Sequence, residues 1–288
     1  MSTVVDVREL PAAGRWQGAR RLLRGAPLGD RLAFAAFGLV SLLAVVGPSI
    51  APSDPLAVAG APYQGPSFAH PFGTDDVGRD MFSRVLAGVQ STWLSALAVI
   101  ALAIVIGAVV GIVAATAGGW IDAVLMRVTD VFLALPAPLV AITVVAALGA
   151  SLGNTLIAVS LLWWPYYARL IRSEVRAVMV RPHVTAARLA GMSRVRLIGR
   201  HVAPAAIPVT IVGASLDIGA LIAVLAALSF LGLGAAAPAP ELGAMTARGL
   251  ADLQTSWWLS VGPGFAVFLL ALVGNLAGDA IRDLLDRR

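Results

Sequence analysis

The chain has 288 residues, of which 59% are hydrophobic and only 13% are charged. Soluble domains carry about 25% charged residues, so the composition excludes a water-soluble globule, and a lipid bilayer is the expected solvent for much of the chain. The net charge is +5, and there is no cysteine, which excludes disulfides, thiolate metal sites and cysteine nucleophiles.

Stretches long and apolar enough to cross a bilayer, which takes about 20 residues, occur six times. They are Leu32–Ile50, Thr92–Thr116, Val124–Ala147, Asn154–Ile171, Ile207–Leu231 and Trp258–Gly278. The first follows a polar segment of roughly 30 residues, longer than the basic start of a signal peptide, so we expect an uncleaved span. The sequence therefore predicts an all-α membrane protein with six transmembrane helices.

The distribution of arginine predicts the orientation, because cytoplasmic loops carry an excess of basic residues. If six spans alternate, most of the arginines fall on the side of both termini, which we therefore expect to be cytoplasmic. We predict a cytoplasmic segment over residues 1–29, a first helix and an external loop over 30–91, and a core over 92–288. The arginines do not form the dense basic face that a nucleic-acid partner requires.

The cytoplasmic segment between the fourth and fifth spans, residues 181–204, predicts two short helices with a sharp joint. Gly191 can adopt the positive φ that closes a helix, and Ser193 is a favourable N-cap for the next helix. Pro204 suits the first turn of the fifth span.

Small side chains at Ala186 and Ala187 would let a protein partner approach the first of these helices closely; contact of the loop with anionic lipid is the alternative. The pattern Ala186-Ala187-x3-Gly191, followed by Pro204, resembles the EAA loop of binding-protein-dependent ABC importer permeases. The resemblance implies that the loop forms coupling helices that bind an ATP-binding subunit. Thr185 stands where that family has a glutamate.

Other segments resemble the dipeptide, oligopeptide and nickel subfamily of these permeases. Residues His70 to Asp80 resemble its HPxGTDxxGRD signature, and further similar blocks are Trp164–Arg169, Ser229–Gly234 and Gly278–Asp283. The resemblance implies the type I importer architecture in a bacterial inner membrane, and a place as the second permease subunit. It also implies a second permease, two ATP-binding cassette subunits and an external substrate-binding protein as partners, with membrane lipid around the bundle.

Charged residues cluster just before the second span, on the predicted external side: Asp75, Asp76, Arg79 and Asp80. Carboxylates are favourable at the positive end of a helix, and Arg79 can pair with one of them. Gating, contact with a binding protein, and a metal site that includes His70 are the alternatives.

Two carboxylates lie inside predicted spans. Asp130 follows Arg127 by three residues, a spacing that allows an ion pair on one helical face. Asp217 lies about ten residues into the fifth span, near the middle of the bilayer at about 1.5 Å per residue. Because a carboxylate there should face the bundle interior or water, we expect it to line the pathway or to form hydrogen bonds between helices.

The chain has no Walker A sequence and no lysine, so we expect no ATPase activity and no cofactor in this chain, with ATP and magnesium bound by partner subunits. The prediction is a permease subunit of an ATP-driven importer of dipeptides or oligopeptides. Import of nickel or another small solute is the alternative within the family. An ion-coupled secondary transporter that uses Asp217, or a membrane scaffold, is the alternative outside it.

Overall fold

The computed structural model describes residues 27–286; most of the predicted N-terminal segment, residues 1–29, lies outside this range. The described chain consists of helices joined by loops, and two isolated β-bridges are its only extended pairings, which confirms the predicted all-α fold. The helices in chain order are α1 Leu28–Ile50, α2 Met81–Ala117, α3 Gly119–Ala134, α4 Ala137–Leu148, α5 Leu152–Met179, α6 Pro182–Leu189, α7 Arg194–Leu197, α8 Ala203–Phe230, α9 Leu242–Gly249 and α10 Trp258–Asp286.

Four helical segments among residues 27–286 are long and apolar enough to cross a membrane: Leu28–Ile50, Met81–Ala117, Arg194–Phe230 and Trp258–Leu284. The pair α3 and α4 makes a fifth if it is one broken span. The fourth predicted span lies within α5, which has 28 residues but carries several charges in its C-terminal half. The length of α5 is therefore sufficient for a membrane span, and its polar and charged side chains distinguish it from the four more apolar segments.

The third predicted span, Val124–Ala147, is not one continuous helix. It is divided between α3 and α4, which meet at an angle of 90°. Leu135 between them is extended, with ψ of 137°, as expected for a residue that precedes a proline. Pro136 therefore ends α3 and redirects the chain.

The pair α2 and α5 forms the centre of the bundle because glycines let the two backbones approach closely. A Cβ atom placed on Gly107 would lie 2.6 Å from Cβ of Tyr167, and one on Gly111 would lie 2.6 Å from the carbonyl oxygen of Ala168. Glycine is the residue that fits at both crossings.

Residues 232–256, which connect the fifth and sixth predicted spans and form an external loop if six spans alternate, are partly helical. The short helix α9 packs against α8 and α10, and its Leu242 and Met245 are buried in the main hydrophobic core. Glu241, which precedes α9, is buried and accepts hydrogen bonds from the Ser229 hydroxyl and from Ala235 N. This segment is therefore part of the packed bundle.

Candidate coupling surface and membrane pathway

The chain turns at Gly191 between α6 and α7, as the sequence predicts. Its φ is +78°, and the amide of Met192 donates to the carbonyl oxygen of Ala187 at 3.1 Å, which closes α6. This backbone conformation is rarely accessible to residues with a Cβ atom. The glycine therefore makes the turn between α6 and α7 possible.

The surface made by α6, Gly191 and α7, here called the coupling surface, presents small and apolar side chains away from the bundle. Leu189 is 84% exposed and Val195 is 82% exposed. Large exposed apolar side chains mark a surface that contacts another protein or the membrane. The predicted coupling residues on it are exposed, except for the half-buried Ala187: Thr185, Ala186, Gly191 and Ser193.

The coupling surface is attached to the bundle by its opposite face. Val184 of α6 and Leu197 of α7 are buried in a second hydrophobic core that includes Val175 and Val178 of α5. Burying a valine or leucine side chain contributes roughly 1.5–3 kcal/mol. The coupling surface and the end of α5 therefore share one packed core.

The two capping predictions for the loop have different outcomes. Ser193 occupies the N-cap position of α7, but its hydroxyl accepts no hydrogen bond from that helix. Pro204 lies in the first turn of α8, as expected, although α7, a π-helical turn over Ile198–Val202 and α8 run without interruption. The wider turn just before Pro204 accommodates a residue that has no N–H to donate, and it leaves the coupling surface continuous with a membrane helix.

On the predicted external side, Asp75 organises the loop before α2. Its carboxylate accepts hydrogen bonds from Arg79 N at 2.8 Å and from Arg79 Nε at 2.6 Å, so the expected pairing of Arg79 is confirmed. Asp76 is largely exposed and lies 3.7 Å from the same guanidinium. The backbone and side chain of Arg79 together fix the turn around Asp75.

Asp80 caps α2. Its Oδ2 accepts hydrogen bonds from Ser83 N at 2.8 Å and from Ser83 Oγ at 2.6 Å, while Oδ1 lies 2.9 Å from Nδ1 of His70. The expected N-cap is therefore present. Among residues 27–286, no group of three or more histidine, aspartate and glutamate side chains is arranged to hold a metal ion.

A buried arginine that the sequence reasoning did not single out joins two of the segments that are predicted to be external. Arg84 is 2% exposed and donates to the carbonyl oxygen of Pro55 at 2.8 Å and of Pro238 at 3.1 Å. These three groups are called the external clasp below. Arg84 lines a cavity of about 240 Å³. Tyr63 also lines this cavity, and partial burial together with the carboxylates of Asp252 and Asp76 raises the pKa of its hydroxyl.

Asp217 lies between α8 and α5. Its Oδ2 accepts a hydrogen bond from the Tyr167 hydroxyl at 2.8 Å and one from Trp163 Nε1 at 3.3 Å. The side chain is half-buried. The expected interhelical hydrogen bonds are thus present around a side chain that is only partly buried.

Two ion-pair groups join α3 to the C-terminal half of α5. Asp122 accepts hydrogen bonds from Arg172 Nε at 2.5 Å and Nη2 at 2.7 Å, and a further one from Arg176. Asp130 pairs with Arg169, so the expected pair with Arg127 is wrong. Residues on neighbouring helices, and not the adjacent turn of α3, provide the countercharges.

Two solved structures of ABC transporters are similar in fold to this chain. The structure is similar to one described as inward-facing conformations of the MetNI methionine ABC transporter, with a TM-score of 0.57, 16% identity, and coverage of 71% of this chain and 97% of that one. A crystal structure of an amino acid ABC transporter with histidines matches with a TM-score of 0.53 and 16% identity, covering 71% of this chain and 94% of that one. This likeness supports the expected permease fold.

The sequence is 42% identical over 275 residues to the probable D,D-dipeptide transport system permease protein DdpC of Escherichia coli (strain K12), covering 94% of this chain and 92% of that protein. It is 38% identical over 257 residues to the nickel transport system permease protein NikC of the same strain, covering 89% and 93%. Residues 103–288 match the family described as "Binding-protein-dependent transport system inner membrane component". The expected dipeptide, oligopeptide and nickel subfamily is thereby confirmed, and the chain belongs to the family of binding-protein-dependent transport system inner membrane components.

Proposed function

We propose that this chain forms one half of the membrane pathway of an ATP-driven importer of dipeptides or oligopeptides. The observation that carries the proposal is the coupling surface, where exposed apolar side chains surround a glycine joint. The relative with 42% identity is named as a D,D-dipeptide transport permease, which supports the substrate class. Nickel is the second candidate substrate, since a nickel permease is 38% identical.

The proposed complex contains a second permease, two ATP-binding cassette subunits that bind ATP and magnesium, and an external substrate-binding protein. Both termini lie on the cytoplasmic side in this arrangement. An ATP-binding subunit seated on the coupling surface would move α6 and α7. Because α7 continues into α8 without a break, and because Val184 and Leu197 are buried against α5, that movement reaches two membrane helices. These helices would then switch between two arrangements, which open the membrane pathway to one side and then to the other.

The remaining predicted site residues take three roles in this proposal. Thr185, Ala186 and Ala187 contact the ATP-binding subunit, with Gly191 setting the angle of the joint. Asp217 lines the pathway between α5 and α8, because a half-buried carboxylate at that depth needs water or a polar partner in place of lipid. The cluster from Asp75 to Asp80 holds the external loop in shape at the start of α2.

The test is a pull-down of the tagged chain from its own membranes, scored for a partner that can be photolabelled by azido-ATP. Gly191→Arg should abolish the capture of this partner, because the substitution places a long side chain on the joint and strains a backbone with a positive φ. Gly232→Arg is the matched control. Gly232 also has a positive φ, +82°, and open space around it, but it lies in the predicted external loop.

Retention of the photolabelled partner by Gly232→Arg and its loss from Gly191→Arg would support the proposal. If the correctly inserted wild type captures no ATP-binding partner even after cross-linking, the importer assignment is wrong. Uptake of labelled dialanine and of nickel, compared between the wild-type and deletion strains, separates the two candidate substrates.

A further inference from the structure

The middle of the interface between α5 and α8 carries an unusual combination of a carboxylate and aromatic donors. Both hydrogen bonds from Trp163 and Tyr167 reach the same oxygen of Asp217, Oδ2. Within residues 27–286, Oδ1 accepts no hydrogen bond, and the side chain is half-buried. One oxygen is therefore held in place while the other is available to a ligand.

The position of Asp217 determines what can cover that oxygen. It lies near the centre of α8, roughly 20 Å from either end at about 1.5 Å per residue, and Trp163 lies in the central part of α5. Lipid tails cannot solvate a carboxylate, and such groups in membrane helices mark pathways for ions or polar solutes. The open side of Asp217 therefore faces the pathway that the two helices line.

The chemistry around Asp217 favours an organic ammonium group over a metal ion. The indole N–H of Trp163 donates only and cannot act as a ligand, so the immediate surroundings supply few of the oxygen, nitrogen or sulfur ligands that nickel requires. Aromatic faces attract ammonium groups, and the rings of Tyr166 and Tyr167 meet edge to face at 5.3 Å beside this carboxylate. A protonated amine can pair with Oδ1 and lie against a ring.

We propose that Asp217, Trp163 and Tyr167 form an ammonium-binding station midway along the membrane pathway, which receives the amino group of the transported solute. The proposal rests on the proposed function, in that this chain lines an import pathway. It narrows the cargo to solutes with a protonated amine, a class that includes peptides with a free N-terminus.

Because the chain has no cysteine, the station can be tested with single-cysteine variants in native membranes that contain the partners. Ala220→Cys places a thiol one helical turn from Asp217, at an exposed position. Its reaction rates with a cationic and an anionic methanethiosulfonate reagent of similar size are measured with Asp217 and with Asp217→Asn. Val105→Cys, at an exposed position of α2, is the control distant in sequence.

The cationic reagent should react faster than the anionic one at Ala220→Cys. Asp217→Asn should lower that rate ratio by about tenfold or more, because a charge roughly 6 Å away affects the two reagents in opposite directions. Methylammonium chloride should slow the cationic reagent more than sodium chloride at equal ionic strength, and Asp217→Asn should remove this difference. The ratio at Val105→Cys should not depend on Asp217.

A thiol at position 220 that neither reagent reaches, or a rate ratio unchanged by Asp217→Asn, overturns the station. If the cationic-to-anionic rate ratio depends on Asp217 as expected but methylammonium gives no protection, the assignment of an ammonium ligand is wrong. Failure of the importer function itself would show separately, as the absence of an ATP-binding partner in the pull-down, since thiol labelling requires neither ATP nor the binding protein.

Discussion

Replacement of Arg84 by methionine is expected to open the external clasp without disturbing the rest of the bundle. Methionine has a similar length and no donor, so Arg84→Met removes the hydrogen bonds to Pro55 O and Pro238 O, which measure 2.8 and 3.1 Å. Asp75 keeps its ion pair with Arg79, whose Nε lies 2.6 Å from the carboxylate. The change therefore acts mainly on the two loop carbonyl groups.

The magnitude follows from the burial of the guanidinium. Each hydrogen bond to a charged group contributes roughly 1.5–3 kcal/mol, and part of this is offset because the buried charge no longer has to be desolvated. We expect a net loss of about 3 kcal/mol in the free energy that holds the clasp closed. At about 1.4 kcal/mol per factor of ten, the open fraction rises roughly 100-fold.

Limited proteolysis of the external side of spheroplasts measures this opening. The loop between α8 and α9 is rich in alanine and glycine, so elastase, which cleaves after small residues, is a suitable probe. When opening and closing are fast relative to cleavage, the cleavage rate follows the population of the open form. We therefore expect cleavage of this loop to accelerate by roughly two orders of magnitude in Arg84→Met.

Arg248→Met is the matched control. Arg248 lines the same cavity, but it is exposed, and its side-chain hydrogen bond, 3.2 Å long, goes to Ala244 O one turn earlier in its own helix. Its replacement should change the cleavage rate little. Equal cleavage rates in Arg84→Met and Arg248→Met would refute the argument that the buried guanidinium holds the external segments together.

Two further paired substitutions test the packing of the bundle through the midpoint of thermal aggregation of the solubilised chain. Asp122→Asn should destabilise the chain by roughly 1–2 kcal/mol, because the Asp122 carboxylate is largely buried under two arginines. Asp130→Asn should destabilise it by well under about 1 kcal/mol, because both partners of that ion pair are about half exposed. Equal midpoints for the two variants would contradict this ranking. Gly107→Ala should destabilise by about 1–3 kcal/mol because its Cβ atom would overlap Tyr167, while Gly38→Ala, which meets nothing within 4 Å, should be neutral or stabilising by up to about 1 kcal/mol. A stabilising effect of Gly107→Ala would show that α2 and α5 do not cross as closely as described.

Local signals in the sequence were sufficient for several features. The turn at Gly191 and the capping of α2 by Asp80 depend on residues within a few positions, because a helix end needs a particular backbone conformation or a nearby acceptor. The bend at Pro136 was equally local, since the residue before a proline avoids the helical conformation. The sequence reading missed that signal because apolarity continues across the break.

The sequence by itself determined the membrane environment, the helical class and the segment that forms the coupling surface, because length, apolarity and helix-ending residues act over one or two turns. Only the tertiary structure decided which polar and charged groups meet. The donors to Asp217 are 50 and 54 residues away, and one carbonyl bound by Arg84 is 154 residues away. Partners at such distances depend on how close two helices approach, which glycines such as Gly107 set through contacts that no local pattern records.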